Sequence, residues 1–89
     1  MYKVIEQEKC RNKSVIVRQY QFFRTKRKAI KFIKKYVANL SQNYLGHFDK
    51  INKTNFKYSS YYSIYYFEIV DSDFDYSPID QTINIIKYK

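Results

Sequence analysis

The sequence predicts an α+β fold: residues 1–89 form a single small domain in which one amphipathic helix packs on an antiparallel four-stranded sheet, in the order β-β-α-β-β. Three observations carry this expectation. Runs rich in Val, Ile, Tyr and Phe recur at residues 2–7, 15–23, 56–70 and 81–88. One longer segment between the second and third runs has helical spacing. A chain of 89 residues has room for one thin core and little else.

The first two runs flank the polar stretch Glu8–Ser14, which contains Asn12, a residue that tolerates left-handed backbone; together they predict a β-hairpin. In the second strand Val15 and Val17 point one way and Ile16, Tyr20 and Phe22 the other. Thr25 is placed to cap a helix over 26–45, and Gly46 stands where a left-handed C-terminal cap belongs. Within it Ile30, Ile33, Val37, Leu40 and Tyr44 recur at spacings of three and four, with Ala29 and Tyr36 on the flank of the stripe. Arg27, Lys28, Lys31, Lys34 and Lys35 fall on the opposite arc. A polar connector, Gly46–Asn55, leads into the run 56–70, which reads as one long strand or a bent pair. The acidic loop 71–80 with Pro78 ends it, and 81–88 forms the last strand.

The formal net charge is +9, but Lys, Asn, Ile, Tyr and Phe, all with A/T-rich codons, fill 48 positions. A low-GC genome would supply much of that composition without any function attached. Placement is more informative than content. From Lys9 through Phe48 there are eleven basic residues and no acid, whereas Glu68, Asp71, Asp73, Asp75 and Asp80 follow with no base among them. Codon usage does not produce a 40-residue stretch free of carboxylates.

Several classes are excluded or disfavoured. No apolar run approaches the ~20 residues of a membrane span, and the N-terminus lacks the apolar centre of a signal peptide, so the expected setting is cytoplasmic. A single Cys precludes an internal disulfide, and Cys10 with His47 cannot complete a structural zinc site. Asp71, Asp73 and Asp75 alternate like the start of a calcium loop, yet Tyr76 and Thr82 stand where Gly and Glu are required. His47, near Ser41 and Asp49, is the one conventional acid–base group, and Cys10 sits in a turn among cations; neither makes a catalytic constellation. The chain is expected to be non-enzymatic, with no catalytic residues, no metal and no cofactor.

Lys26, Arg27 and Lys28 occupy the first turn of the helix, where cations cost about 0.3–1 kcal/mol each at low salt. An external anion would offset that cost. Arg24, Lys26, Arg27 and Lys28 at the helix start, continued by Lys31, Lys34 and Lys35, suit the phosphates of a nucleic acid, and Tyr58, Tyr61 and Tyr65 are candidates to stack on unpaired bases. The expected function is a small accessory protein of a phage or other mobile element, acting in the host cytoplasm. It would dock on nucleic acid, or on a host nucleoprotein effector such as a CRISPR nuclease, and block it in the manner of an anti-CRISPR inhibitor. The alternative is a protein–protein inhibitor of a host target, or a subunit that self-associates as a homodimer, using the tyrosine-rich strand and the acidic loop 68–80. Folding of the acidic loop back onto the helix would remove the case for a polyanion.

Overall fold

The computed structural model describes residues 1–71 and the backbone of residues 82–87; residues 72–81 and 88–89, and with them Asp73, Asp75, Pro78 and Asp80, lie outside the described residues. The described elements are β1 (Tyr2–Cys10), β2 (Val15–Phe23), α1 (Lys26–Asn43), β3 (Gly46–Lys50), β4 (Asn55–Ser60), β5 (Ser63–Asp71) and β6 (Thr82–Lys87). The strands form one sheet in the order β3-β4-β5-β1-β2-β6. The α+β class holds with one helix among the described residues, and β1 to β5 are antiparallel. The four-stranded arrangement is corrected to six strands in three respects: the connector 46–55 contains the additional strand β3, the run 56–70 divides into β4 and β5, and β6 runs parallel to β2.

The expected hairpin of β1 and β2 forms, with β2 at the bounds of its apolar run and β1 extended beyond residue 7 to Cys10. In its turn the left-handed backbone falls on Lys13 (φ 70°) rather than on Asn12. Asn12 instead accepts hydrogen bonds at Oδ1 from the Ser14 amide (3.0 Å) and hydroxyl (2.6 Å), which stabilises the reversal locally. Near the far end of β2 the pairing slips by one between Val4↔Tyr20 and Tyr2↔Phe23, and Phe22 takes φ 73°. The extra residue exposes Phe22 and turns Phe23 into the core, reversing the sequence expectation for Phe22.

The run 56–70 is a hairpin. Tyr61 and Tyr62 make the turn, so the strict alternation breaks there and Tyr58 lies directly opposite Tyr65, on the same face of the sheet. Phe56, Tyr58, Tyr65, Phe67 and Ile69 join Val4, Tyr20 and Phe23 under the helix, which contributes Ala29, Ile33 and Val37. The helix packs over β1, β2 and β5, the middle of the sheet. On the opposite face Lys3, Ile5, Val17 and Gln19 are also buried.

At the helix end the expectation about Gly46 is corrected. The helix stops at Asn43; the extended residue Tyr44 caps it by donating its amide to the Leu40 carbonyl at 2.8 Å. Gly46 opens β3 without a positive φ. Its lack of a side chain matters for another reason: a Cβ there would meet the Ser59 carbonyl oxygen and sit 2.6 Å from Cζ of Tyr58.

The core contains a buried polar network that no apolar pattern announces. Glu6, on the helix face of β1, is fully buried and accepts from Arg18 Nη1 (2.6 Å), the Tyr20 hydroxyl (2.7 Å) and the Tyr36 hydroxyl of the helix (3.3 Å). Arg18 also bonds Glu8 at 2.8 Å, and Glu8 accepts from the Ser63 hydroxyl at 3.2 Å. Burial raises the Glu6 pKa above 4.5, although the bonds from Tyr20 and Arg18 pull it down. Burial opposes the charge on Arg18, but the Glu8 bond and the Glu6 field outweigh it and hold the guanidinium more firmly protonated.

A raised carboxyl pKa means that the folded chain holds the Glu6 proton more tightly than the unfolded chain. The contribution of Glu6 is therefore complete below pH 4.5 and declines as pH rises through the folded value. Glu6→Gln, which mimics the neutral acid, is expected to match or exceed the wild type in urea unfolding at pH 7, with the difference closing at pH 4. Glu6→Ala, which strands buried donors, is expected to lose about 3–5 kcal/mol.

Candidate nucleic-acid interface

The cationic face depends on how the helix is seated. Thr25 forms the expected N-cap, its Oγ1 accepting from the Lys28 amide at 3.1 Å. The inner surface centres on Ala29, Ile33 and Val37, with Ile30, Phe32, Tyr36 and Leu40 half-buried beside them. Tyr44, placed on the stripe by periodicity, has left the helix and is exposed. Phe32 lies 4.7 Å from the Tyr20 ring and 5.2 Å from the Phe23 ring, and Tyr36 meets Phe67 edge-on at 5.7 Å. Tyr36 also reaches Glu6 with its hydroxyl, whose pKa is pushed up to about 12 by burial and by the Glu6 charge.

With the inner side fixed in this way, Arg27, Lys28, Lys31, Lys34 and Lys35 lie exposed on the outer arc, which spans about 120° of the helix circumference. None of them forms an ion pair among the described residues, and neither does Arg24. The first helical turn contains no acid. Lys26 points elsewhere: its ammonium lies 5.8 Å from the centre of the Tyr2 ring. Arg18, part of the same acid-free stretch of sequence, is removed from the surface charge by Glu6 and Glu8.

The candidate stacking residues divide. Tyr61 is 68% exposed, whereas Tyr58 and Tyr65 are 2% and 7% exposed and belong to the core. The Tyr58 hydroxyl donates to the Tyr44 carbonyl, and the Tyr65 pKa is raised by burial and then by Glu8. Tyr58 and Tyr65 are thus corrected from surface to interior; direct opposition across a sharp turn placed both on the inner face. An aromatic patch does exist, built from other residues. Tyr61 and Tyr62 meet edge-on at 5.1 Å, Tyr62 meets Tyr44 at 5.8 Å, and the Arg11 guanidinium lies 4.2 Å from the Tyr61 ring centre. The Arg11 amide donates to the Tyr62 carbonyl at 2.9 Å, which joins the β1–β2 and β4–β5 turns into one surface. The signal in the sequence was the pair Tyr61–Tyr62 between two strand-forming runs, where a turn must come.

The remaining chemical groups stay apart. His47 is exposed and, among the described residues, pairs with Asp49 at 2.8 Å. The Cys10 thiol faces the Glu8 carboxylate at 3.5 Å rather than the cations of its turn. Among the described residues no group of His, Cys, Asp or Glu is arranged to hold a metal, and no helix is long and apolar enough to cross a membrane. No family model, no curated protein and no solved structure matches the chain.

Lys31 is the centre of the cationic arc. Arg27 and Lys28 precede it by four and three residues, and Lys34 and Lys35 follow by three and four, so it has four like-charged neighbours on the helix surface. Each such pair is unfavourable by about 0.2–0.5 kcal/mol. Lys31→Glu turns all four repulsions into attractions and is expected to stabilise the protein by about 1.5–4 kcal/mol in low salt, with the gain fading near 1 M salt. Urea unfolding at the two salt concentrations checks this; a loss of stability in low salt would show that the five cations do not share a face.

Proposed function

We propose that the protein is a non-enzymatic binding module that docks on nucleic acid, or on a nucleoprotein effector, through the outer face of its helix. The observation that carries this reading is the set of five exposed cations on one arc, mutually repelling and without carboxylate partners among the described residues. Their Cα positions span about 12 Å along the helix axis, a length over which both strands of a duplex present about seven phosphate charges. Arg24 extends the basic surface beyond the N-cap. Tyr61 and Tyr62, with Arg11 beside them, supply rings on which unpaired bases can stack, which favours a single strand or an RNA with unpaired loops. Blocking of a host effector by an accessory protein of a mobile element, as an anti-CRISPR inhibitor does, is the biological role in which such a module makes sense.

The alternative based on strand addition at the tyrosine-rich segment has less support. Both β4 and β5 are paired on each side within the sheet and offer no free edge.

Fluorescence anisotropy with labelled duplex DNA and single-stranded RNA tests the proposal. If five phosphates are engaged, log K falls against log salt with a slope near −4.5 on duplex and near −3.5 on single strands. These slopes correspond to roughly 500-fold and 130-fold losses between 50 and 200 mM salt. Lys31→Glu with Lys35→Glu is expected to abolish binding in a folded protein, and Tyr61→Ala to cost about 1–3 kcal/mol on single strands alone. Absence of binding to any nucleic acid at 50 mM salt refutes the reading.

A further inference from the structure

We propose that β3 is a self-pairing edge, through which two copies of this chain join into one continuous sheet. β3 ends the sheet, and the helix lies over β1, β2 and β5 without covering it. The Ile51 amide donates to the Asn55 carbonyl at 2.9 Å, which marks 51↔55 as a hydrogen-bonded pair of the β3–β4 ladder. Alternation along the ladder then assigns the main-chain groups of His47 and Asp49 to β4. Those of Gly46, Phe48 and Lys50 point to the open edge.

A two-fold axis through Phe48 satisfies these outward groups. Phe48 pairs with Phe48 of the second copy, Gly46 with Lys50 and Lys50 with Gly46, each pair exchanging main-chain hydrogen bonds. The same register makes the side chains self-complementary. His47 falls opposite Asp49 of the second copy in the closer, non-hydrogen-bonded type of pair, so the His–Asp contact made within one chain at 2.8 Å is also matched across the axis. One step further out, Leu45 falls opposite Ile51 of the second copy. Leu45 is 90% exposed and Ile51 56%, so both present apolar surface to solvent in the monomer. A five-residue strand with a His–Asp pair about its centre and one apolar residue beyond each end has the symmetry that an isologous dimer requires. β3 has no proline and pairs with β4 without a register shift, and its lysine, Lys50, falls opposite a glycine of the second copy.

The arrangement is independent of the nucleic-acid reading, since β3 carries none of the cations of the helix arc. The axis runs through the sheet, so both helices stay on one side, and an assembled pair would present two cationic faces together.

Sedimentation velocity from about 10 to 500 µM, in about 0.3 M salt to screen repulsion between two chains of +9, measures the association. Three variants resolve it, with urea unfolding to confirm that each is folded. Lys50→Pro removes an outward amide at an exposed edge position, where proline is tolerated, and is expected to leave monomer throughout. His47→Asp places like charges across the axis twice and is expected to weaken the dimer about tenfold or more. Combining His47→Asp with Asp49→His restores a His–Asp pair in both places and is expected to return the affinity to within about threefold of wild type. A monomeric wild type at 500 µM, a dimer that Lys50→Pro and His47→Asp leave intact, or a charge swap that fails to restore association each overturns the proposal.

Discussion

The rotation of the helix about its own axis is the constraint on which the remaining surface depends. A helix with basic residues at so many positions could present them in several directions. Here Phe32 and Tyr36 settle the matter: Phe32 lies among Tyr20, Phe23 and Tyr36, and Tyr36 packs on Phe67 while its hydroxyl reaches Glu6. Ala29 and Ile33, both fully buried, let the helix approach the sheet closely between those rings. A rotation by one position would carry Tyr36 away from Glu6 and bring Lys35 toward it. The aromatic contacts therefore decide where the charges on the other side point.

Glu6 links this seating to the charge distribution. In a chain with 8 acids and 17 bases, a carboxylate spent in the core is one fewer on the surface. Glu6 and Glu8 are both held by Arg18, and Asp49 is held by His47. The acids that satisfy polar needs of the fold are thus committed away from the helix, and the cations of the outer arc have no carboxylate among the described residues to meet. Among the described residues, the ion pairs and the cationic arc are spatially separate.

How far the sequence disclosed this arrangement varies with the distance over which its signals act. Helix spacing and the Thr25 cap are local, and both were legible, as was the outward arc from Arg27 to Lys35. Strand faces were legible only as far as the next irregularity. One extra residue at Phe22 exchanged the burial of Phe22 and Phe23, and a turn at Tyr61–Tyr62 placed Tyr58 and Tyr65 on one face although parity along a single strand separates them. The Glu6–Arg18 contact joins residues twelve apart through hairpin register, and the Tyr36–Glu6 contact joins residues thirty apart through tertiary packing. Neither leaves a local trace, which is why Arg18 counted with the free cations in the linear pattern. β3 escaped notice because GHFDK has the polarity of a loop; an exposed edge strand needs little apolar content to pair with its neighbour.

The stability of the fold does not require the cationic arc. The four repulsive pairs around Lys31 together oppose folding by about 1–2 kcal/mol, and the basic first turn adds to that through the helix dipole. The Thr25 cap returns about 1 kcal/mol, leaving a net penalty within a total stability of roughly 4–13 kcal/mol for a chain of this size. Codon composition can explain why lysine is common here, but glutamate also has A-rich codons and favours helices, and none occurs between Lys9 and Phe48. A helix face optimised for the protein alone would mix acids among those lysines. The stability of the fold does not account for their absence from the outward positions of that arc.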